Sequence, residues 1–235
     1  MAIKGILFDK DGTLIEFDGF FGFTYLKMLQ SHFGHSEAEA LAMLVKTGFV
    51  PETGTCLGGS PLASEPLGHI VRLWWPDLPE VVAKARAREI DENFDREALQ
   101  KPKAVAELTE VFDELRAAGF VLGVATNDVE AAAHAHMSHL GVVDHFDLLI
   151  GSDSVSAPKP HGNMIRLFCE KIGLQPHEIA MVGDNAHDMN EARAGGAGLA
   201  IGVLSGNSTS EDLEPLADHI IHNVGHLPAL MKRLR

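Results

Sequence analysis

Two aspartates, Asp9 and Asp11, stand two residues apart directly after the apolar run at residues 6–8, and Gly12 follows them. The apolar run predicts a strand, and the glycine predicts the turn that ends it. Ligands of open α/β sheets bind at the carboxyl ends of the strands, so both carboxylates would lie where a ligand binds. Crowded carboxylates repel one another unless they hold a cation or share a proton. The motif therefore predicts a metal or acid–base site.

Further polar side chains stand at or soon after the ends of other predicted strands: Thr126 and Asn127, Lys159, Asp184, and Asp188. Each alone has an ordinary explanation as a helix cap, a loop lysine or a turn residue. Together they would bring acids, a hydroxyl, an amide and a cation to one edge of a sheet. This set suits Mg²⁺ bound together with a phosphoryl group, because Mg²⁺ prefers carboxylate, water and phosphate oxygens.

Helical and strand patterns alternate from residue 104 onward and predict an α/β fold with a parallel sheet. The predicted strands cover residues 3–8, 120–125, 146–150, 179–182 and 199–203, and the predicted helices cover 104–118, 128–139, 161–172 and 186–196. Asp128 is expected to cap the helix that it begins. Gly195 and Gly196 are expected to end the last helix and start a turn.

Residues 17–101 show a different pattern and predict a helical insert between the first two strands. Its predicted helices cover residues 20–33, 36–46, 62–74 and 80–94, and no strand is expected. Ser36 and Glu39 form a predicted capping box, and Trp74 a predicted apolar anchor at a helix end. The segment 54–61 is either a loop that reaches the site and sets specificity or a simple connection.

The composition limits the partners. The 235-residue chain has a formal net charge of −14, which disfavours nucleic acid and anionic membranes as partners. A phosphorylated metabolite would also be repelled unless a metal or a lysine reversed the field locally. Cys56 and Cys169 lack metal-ligand spacing, so a disulfide framework or structural zinc is not expected. Without a signal-type or membrane-spanning apolar run, the expected location is cytoplasmic.

Four motifs in order resemble those of the haloacid dehalogenase-like hydrolase superfamily, specifically its capped, phosphoglycolate phosphatase-like phosphatases. The motifs are Asp9-Lys10-Asp11-Gly12-Thr13-Leu14, Ala125-Thr126-Asn127, Lys159-Pro160, and the segment 183–189. The resemblance implies a Rossmann-like, three-layer α/β/α core of residues 1–16 and 102–235. It also implies a helical cap of residues 17–101.

The resemblance further implies a Mg²⁺-dependent phosphomonoesterase. Asp9 would be the nucleophile that forms an aspartyl-phosphate, and Asp11 would act first as an acid and then as a base. Mg²⁺ would be held by Asp9, the backbone carbonyl of Asp11, and Asp184, while Asp188 would either bind the metal or support it. The residues that would bind phosphate oxygens are Thr126, Asn127 and Lys159.

Three other features receive simpler interpretations. Lys10 is expected to point away from both neighbouring aspartates, because successive residues of an extended chain face opposite sides. His134, His136 and His139 are expected to be solvated, since imidazole is a poor ligand for Mg²⁺. Residues 15–18 depart from the pattern of many phosphoglycolate phosphatases, so the substrate does not follow from the resemblance alone.

Alternative functions remain open at this point. The expected substrate is a small phosphorylated metabolite, with phosphoglycolate suggested by resemblance. A phosphomutase of the same fold, such as one like β-phosphoglucomutase, would use the same aspartates but return the phosphoryl group to a bound sugar. A phosphate-binding module without catalysis is a further alternative. A dehalogenase is disfavoured because that branch typically lacks the second aspartate of the first motif. The oligomeric state is left open.

Overall fold

The structure, a computed structural model, describes residues 2–16, 20–57, 59–97 and 102–234. Internal contacts divide the chain into two compact units, one of Met1–Phe17 with Pro102–Arg235 and one of Asp18–Lys101. Of the segment 15–18, which departs from the phosphoglycolate phosphatase pattern, Phe17 and Asp18 lie outside the described residues.

The strands of the described chain are short and form two sheets. In chain order they are β1 (Gly5–Phe8), β2 (Phe49–Val50), β3 (Thr55–Cys56), β4 (Val121–Ala125), β5 (Leu148–Ile150), β6 (Ile179–Gly183), β7 (Leu199–Val203) and β8 (His219–Ile221). Six of them form one sheet in the order β5-β4-β1-β6-β7-β8, and each neighbouring pair is parallel. The predicted α/β fold with a parallel sheet is therefore confirmed.

The described chain contains a helix at each position where one was predicted, together with two further helices near its end. In chain order they are α1 (Phe20–Ser31), α2 (Glu37–Lys46), α3 (Pro61–Ser64), α4 (Leu67–Trp74), α5 (Glu80–Glu97), α6 (Leu108–Ala117), α7 (Glu130–His139), α8 (Asn163–Ile172), α9 (Ala186–Gly195), α10 (Ser210–Leu213) and α11 (Leu227–Arg233). Among the described helices, none combines the length and the apolar character needed to cross a bilayer.

Apolar layers cover both faces of the large sheet. Ile6 and Phe8 of β1 belong to one buried cluster with Phe112 of α6, whereas Leu7 belongs to a second cluster with Phe168 of α8. Successive strand residues face opposite sides, so a continuous apolar strand requires helices on both faces. The observed packing satisfies this requirement and gives the core three layers.

The element ends in this first unit depart from the predicted ends for local reasons. Residue 104 pairs with Ile15 in an isolated bridge, so α6 begins at Leu108 and not at 104. The predicted Asp128 cap is wrong, because Val129 occupies the cap position and makes no side-chain cap hydrogen bond. The strand predicted from residue 146 begins at Leu148, since a 3₁₀ turn precedes it. Gly196 ends α9 in the left-handed conformation, as predicted. The strand β8 and the helices α10 and α11 were not predicted.

The second unit confirms two local predictions. The backbone N–H of Glu39 donates to Ser36 Oγ at 3.3 Å, and the N–H of Ser36 donates to Glu39 Oε2 at 2.8 Å, which completes the capping box. Trp74 is buried at the end of α4, and its indole Nε1 donates to Thr47 Oγ1 at 3.1 Å. This hydrogen bond satisfies the polar atom of an otherwise apolar anchor.

Two other predictions for this unit are wrong. An antiparallel hairpin forms from β2 and β3, although no strand was expected. Strands of two residues carry no alternation pattern that sequence reading could detect. The helix predicted at residues 62–74 is divided into α3 and α4 at Pro66, because the residue before a proline is driven out of the helical conformation. Within the segment 54–61, residues 55–56 are strand and Gly58 lies outside the described residues.

Phe112→Ala tests how much the aromatic packing stabilises the first unit. The Phe112 ring meets Phe146 edge-to-face at 4.9 Å and Phe8 at 5.5 Å, and its side chain is fully buried. Its removal should lower the free energy of unfolding by about 3–5 kcal/mol, measured by denaturant titration. Glu114→Ala on the exposed side of the same helix is the matched control and should change it by less than about 0.5 kcal/mol. Equal losses in the free energy of unfolding for the two variants would show that the packing of Phe112 does not stabilise α6.

Candidate active site

Three buried carboxylates meet at the carboxyl ends of two neighbouring strands. Asp9 follows β1, Asp184 follows β6, and Asp188 lies on the first turn of α9. Residue pairing between β1 and β6 sets Phe8 opposite Val182, which brings the two strand ends side by side. Each of the three aspartates offers an oxygen within 4.8 Å of the others. The structure thus brings together three residues that the sequence placed on separate elements.

A capping box fixes the third carboxylate. Asn185 caps α9, with its Oδ1 accepting a hydrogen bond from the N–H of His187 at 2.8 Å. The carboxylate of Asp188 completes the box, because its Oδ2 accepts from the N–H of Asn185 at 3.2 Å. Asp188 is therefore held in one orientation by the helix that carries it.

One lysine pairs with two of these carboxylates. The ammonium of Lys159 donates to Asp9 Oδ1 and to Asp188 Oδ1, both at 2.6 Å. Its side chain is only 3 % exposed, so water contributes little to its solvation. The cluster of three carboxylates therefore contains one buried ammonium group, which pairs with two of them.

This charge imbalance changes the acidity of the carboxylates. Burial raises the pKa of Asp9 to about 6, although the charge of Lys159 opposes the shift. Burial, followed by repulsion from Asp9 and Asp188, raises the pKa of Asp184 well above its usual value. Burial alone would lower the pKa of Lys159, but attraction by Asp188 and Asp9 outweighs it and raises that pKa. A divalent metal fits this oxygen-rich donor set and would relieve the repulsion.

A cradle of small residues holds Asp184. Gly12 has a φ of +83°, and a Cβ added there would lie 2.7 Å from the Asp184 carboxylate. A Cβ at Gly206 would lie 1.9 Å from Asp184 Oδ2, and that oxygen also accepts from the N–H of Asn207 at 3.1 Å. Ser205 Oγ donates to the carbonyl of Gly12 at 2.7 Å and joins the two sides of the cradle.

Sequence reasoning missed the far side of this cradle, which lies in the segment 205–207. The signal was available, because β7 ends at Val203 and, after Leu204, the polar residues Ser205 and Asn207 follow within four positions. The other site residues were located because polar groups that follow a parallel strand lie at the edge of the sheet where ligands bind. The same reasoning applies to β7.

A buried glutamate, also missed, anchors the chain near Lys159. Glu191 of α9 is fully buried, and its carboxylate accepts hydrogen bonds from the N–H of Gly162 at 2.5 Å and of Met164 at 2.9 Å. It thereby satisfies backbone donors at the start of α8, as an N-cap side chain would. The segment that carries Lys159 is therefore tied to the same helix as Asp188.

Asp11 lies in a second charged group. Lys10 Nζ donates to Asp11 Oδ2 and pairs with Asp128 Oδ2 at 2.7 Å, and the Lys10 side chain is fully buried. Burial raises the pKa of Asp11, although Lys10 opposes that shift. For Asp128, burial would raise the pKa, but Lys10 outweighs burial and lowers it. The expectation that Lys10 points away from Asp11 is wrong, because its long flexible stem lets the ammonium reach groups that its Cβ does not face.

One of the three histidines also departs from expectation. His134 and His139 are exposed, as predicted, but His136 is half-buried on α7. Its charge, when protonated, lowers the pKa of both Asp11 and Asp128. His136 therefore belongs to the surroundings of the second charged group, and the interpretation of all three as solvated is wrong for this residue.

Thr126 and Asn127 join the site from β4, which neighbours β1 in the sheet. Thr126 is buried, and its Oγ1 accepts from the N–H of Asp128 at 3.1 Å. Asn127 Nδ2 donates to the backbone carbonyl of Lys159 at 3.4 Å. The two residues thus connect the end of β4 with both charged groups.

Comparison with known proteins identifies similar chains. Residues 3–196 match the family model of the haloacid dehalogenase-like hydrolases. A probable phosphatase, IndB of Dickeya dadantii, is 37% identical over 123 residues, which cover 50% of this chain and 53% of that protein. The chain thus spans about half the length of that relative. A phosphoglycolate phosphatase of Pectobacterium atrosepticum is 29% identical over 223 residues, covering 91% of this chain and 85% of that protein.

A solved structure shows the same fold. The crystal structure of a predicted phosphoglycolate phosphatase from Haemophilus somnus superposes with a TM-score of 0.73 and covers 98% of both chains at 20% identity. At this identity the likeness concerns the fold alone.

Asp184→Asn tests the repulsion among the buried carboxylates. Folded pKa values above the unfolded value of 3.8 mean that the native state binds more protons. The contribution of the site to stability is therefore lost as the pH rises through about 6. Without metal at pH 8, the variant should be more stable than the wild type by about 1–2 kcal/mol, because it removes one of the crowded buried charges. Denaturant titration in EDTA at pH 5 and pH 8 measures the difference, which should shrink at pH 5.

Mg²⁺ provides the second half of this test. It should raise the melting temperature of the wild type at pH 8 and have little effect on Asp184→Asn, because ligands stabilise only the state that binds them. The exposed Asp144→Asn is the matched control and should behave like the wild type. A variant that is less stable at pH 8 and keeps the full Mg²⁺ response would contradict this account of the site.

Proposed function

The chain belongs to the haloacid dehalogenase-like hydrolases, and from that membership we propose that it is a Mg²⁺-dependent phosphomonoesterase acting through an aspartyl-phosphate on Asp9. The observation that carries the proposal is the contact of Lys159 with Asp9 and Asp188 beside Asp184. A buried carboxylate held next to a cation and to further acidic oxygens suits attack on a phosphate. Relatives named as phosphatases support the same reaction class.

Asp9, Asp184 and the backbone carbonyl of Asp11 are the proposed Mg²⁺ ligands. When bound, the metal would supply charge neutralisation between the carboxylates and the phosphoryl oxygens. Asp188 accepts from the ammonium of Lys159 through Oδ1 and from the N–H of Asn185 through Oδ2, so it holds the lysine while it completes the cap of its own helix. We therefore assign Asp188 the supporting role, in which it orients Lys159 and shapes the acidic cluster.

The first step transfers the phosphoryl group to the protein. A carboxylate oxygen of Asp9 attacks phosphorus, the new O–P bond forms, and the bond from phosphorus to the alcohol oxygen breaks. Asp11 gives its proton to the departing alcohol, which leaves as a neutral molecule. The raised pKa of Asp11 favours the protonated form needed here.

The second step releases phosphate. Asp11, now a carboxylate, takes a proton from water, and the water oxygen attacks phosphorus. The O–P bond to Asp9 breaks, so the carboxylate is regenerated and inorganic phosphate leaves. One residue thus acts as an acid and then as a base.

Lys159, Thr126 and Asn127 are the proposed phosphate-binding residues. The ammonium of Lys159 lies among carboxylates. A phosphoryl group at Asp9 would bind this ammonium in competition with them. Thr126 supplies a buried hydroxyl, and Asn127 fixes the backbone at Lys159 through its amide. These donors stabilise the charge that accumulates on the phosphoryl oxygens during transfer.

Phosphoglycolate is the proposed substrate, because relatives that match most of this chain carry that activity in their names. The insert of residues 17–101 is the proposed cap and the proposed source of substrate selectivity. A small anionic substrate needs local positive charge on a chain of net charge −14, and Lys159 with Mg²⁺ supplies it.

Asp9→Asn tests the nucleophile. The amide is nearly isosteric but cannot form the acyl phosphate, so hydrolysis of p-nitrophenyl phosphate with Mg²⁺ should fall by at least about 10³-fold, within the range of losses seen when a nucleophile is removed. Asp144→Asn, which changes an exposed aspartate of the same unit, should keep wild-type activity. Equal thermal stability of the two variants would confirm that the loss is chemical. Near-normal turnover by Asp9→Asn would exclude Asp9 as the nucleophile.

A comparison of substrates tests whether phosphoglycolate is the preferred substrate. Phosphate release with Mg²⁺ should be fastest, as kcat/KM, from phosphoglycolate among phosphoglycolate, glycerol 1-phosphate, pyrophosphate and glucose 1,6-bisphosphate. Transfer from the bisphosphate to a sugar monophosphate, without net release of phosphate, would instead indicate a phosphomutase. Preference for pyrophosphate would place the activity on anhydrides and overturn the assignment to monoesters.

A further inference from the structure

Lys10 is a buried cation that the proposed reaction does not use directly. Its side chain has no exposure, and its ammonium is shared by the carboxylates of Asp11 and Asp128. Both partners of the ammonium are carboxylates, so the buried positive charge of Lys10 is paired with opposite charge on two sides. Removal of one partner from such a group would leave a buried charge unpaired.

Asp128, the second partner, is held independently of Lys10. Its N–H donates to Thr126 Oγ1 at 3.1 Å, and its carbonyl accepts from the N–H of Ser152 at 2.7 Å. These bonds tie the Asp128 backbone to the end of β4 and to the segment after β5. Lys10 therefore connects Asp11 to a fixed point in the segment that follows the neighbouring strand, β4.

We propose that Lys10 is a positioning residue that holds the carboxylate of Asp11 in the orientation needed for proton transfer, and that Asp128 fixes Lys10 in turn. The proposal rests on the proposed function, in which Asp11 protonates the leaving alcohol. Because Lys10 binds Oδ2 of Asp11, the oxygen that exchanges the proton is Oδ1. A short acidic side chain fixed at one oxygen can present the other in a constant direction, which general acid catalysis requires.

The leaving group of the substrate provides a specific measure of this role. An alkyl monoester must lose an alkoxide and depends on the proton from Asp11, whereas p-nitrophenolate is a stable anion that departs without one. The value of kcat/KM reports the steps up to departure of the leaving group. A residue that orients the acid therefore affects alkyl esters selectively, whereas a residue that only supports the fold affects both kinds of ester alike.

The experiment measures kcat/KM with Mg²⁺ for phosphoglycolate, glycerol 1-phosphate and p-nitrophenyl phosphate. Lys10→Met should lower the values for the alkyl esters about tenfold to a hundredfold, a part of what a general acid contributes, and lower the aryl value about threefold at most. Asp128→Asn should shift the ratio in the same direction by a smaller factor. The double variant should match Lys10→Met, because Asp128 acts only through Lys10.

Controls separate positioning from folding. Lys171→Met removes an exposed lysine of α8 and should leave the alkyl-to-aryl ratio unchanged. Melting curves with and without Mg²⁺ identify any variant that fails to fold. Should Lys10→Met be such a variant, Lys10→Gln, which keeps a hydrogen-bond donor, and Asp128→Asn carry the test.

Failure of the role of Lys10 and failure of the proposed function give different results. An active wild type with an unchanged ratio in folded Lys10 and Asp128 variants overturns the role of Lys10 and leaves the proposed function intact. A wild type that hydrolyses none of the three esters overturns both. A selective loss on the alkyl esters supports the role of Lys10.

Discussion

Three buried carboxylates lie beside one buried ammonium group that pairs with two of them, and the rest of the candidate site depends on this excess of negative charge. Lys159 contacts Asp9 and Asp188, which leaves Asp184 without a lysine partner among the described contacts. Backbone and amide donors at Asn185 and Asn207 supply part of the compensation for Asp184. Hydrogen bonds of this kind cannot fully replace hydration of a buried anion. A cation held among the three carboxylates would balance the charge.

One helix maintains most of this arrangement. The first turn of α9 provides the cap Asn185 and the carboxylate Asp188, and the next turn provides Glu191. Asp188 and Glu191 are three residues apart and share a face of the helix, so one rigid element holds Lys159 and the start of α8 together. A shift of α9 relative to the sheet would move the cation, the acidic cluster and the phosphate-binding segment at once. The fully buried faces of Met189 and Ala192 oppose such a shift.

The sequence predicted which side chains come together where these residues lie directly after a strand. Asp9, Thr126 and Asp184 follow apolar strands. A parallel sheet brings the carboxyl ends of its strands to one edge, independently of the conformation of the loops. Lys10 and Glu191 could not be placed in this way. The direction of a long side chain depends on its partners in three dimensions. Asp128, the distant partner of Lys10, lies 118 positions away, and Gly162, a partner of Glu191, lies 29 positions away. Asp128 illustrates the limit, because its place before a helix favours capping, yet its carboxylate pairs with Lys10.

The two buried lysines divide the charge of the site into two groups with different consequences. Lys159 lies between Asp9 and Asp188, so its charge acts where a phosphoryl group would arrive on Asp9. Lys10 lies between Asp11 and Asp128, so its charge acts beside the carboxyl group that is the proposed acid and base. Asp9 and Asp11 are separated by one residue in the chain, but each has its own lysine. In the proposed reaction, that separation would let Asp9 serve as the nucleophile while Asp11, two residues away, exchanges a proton, although both are aspartates of the same motif.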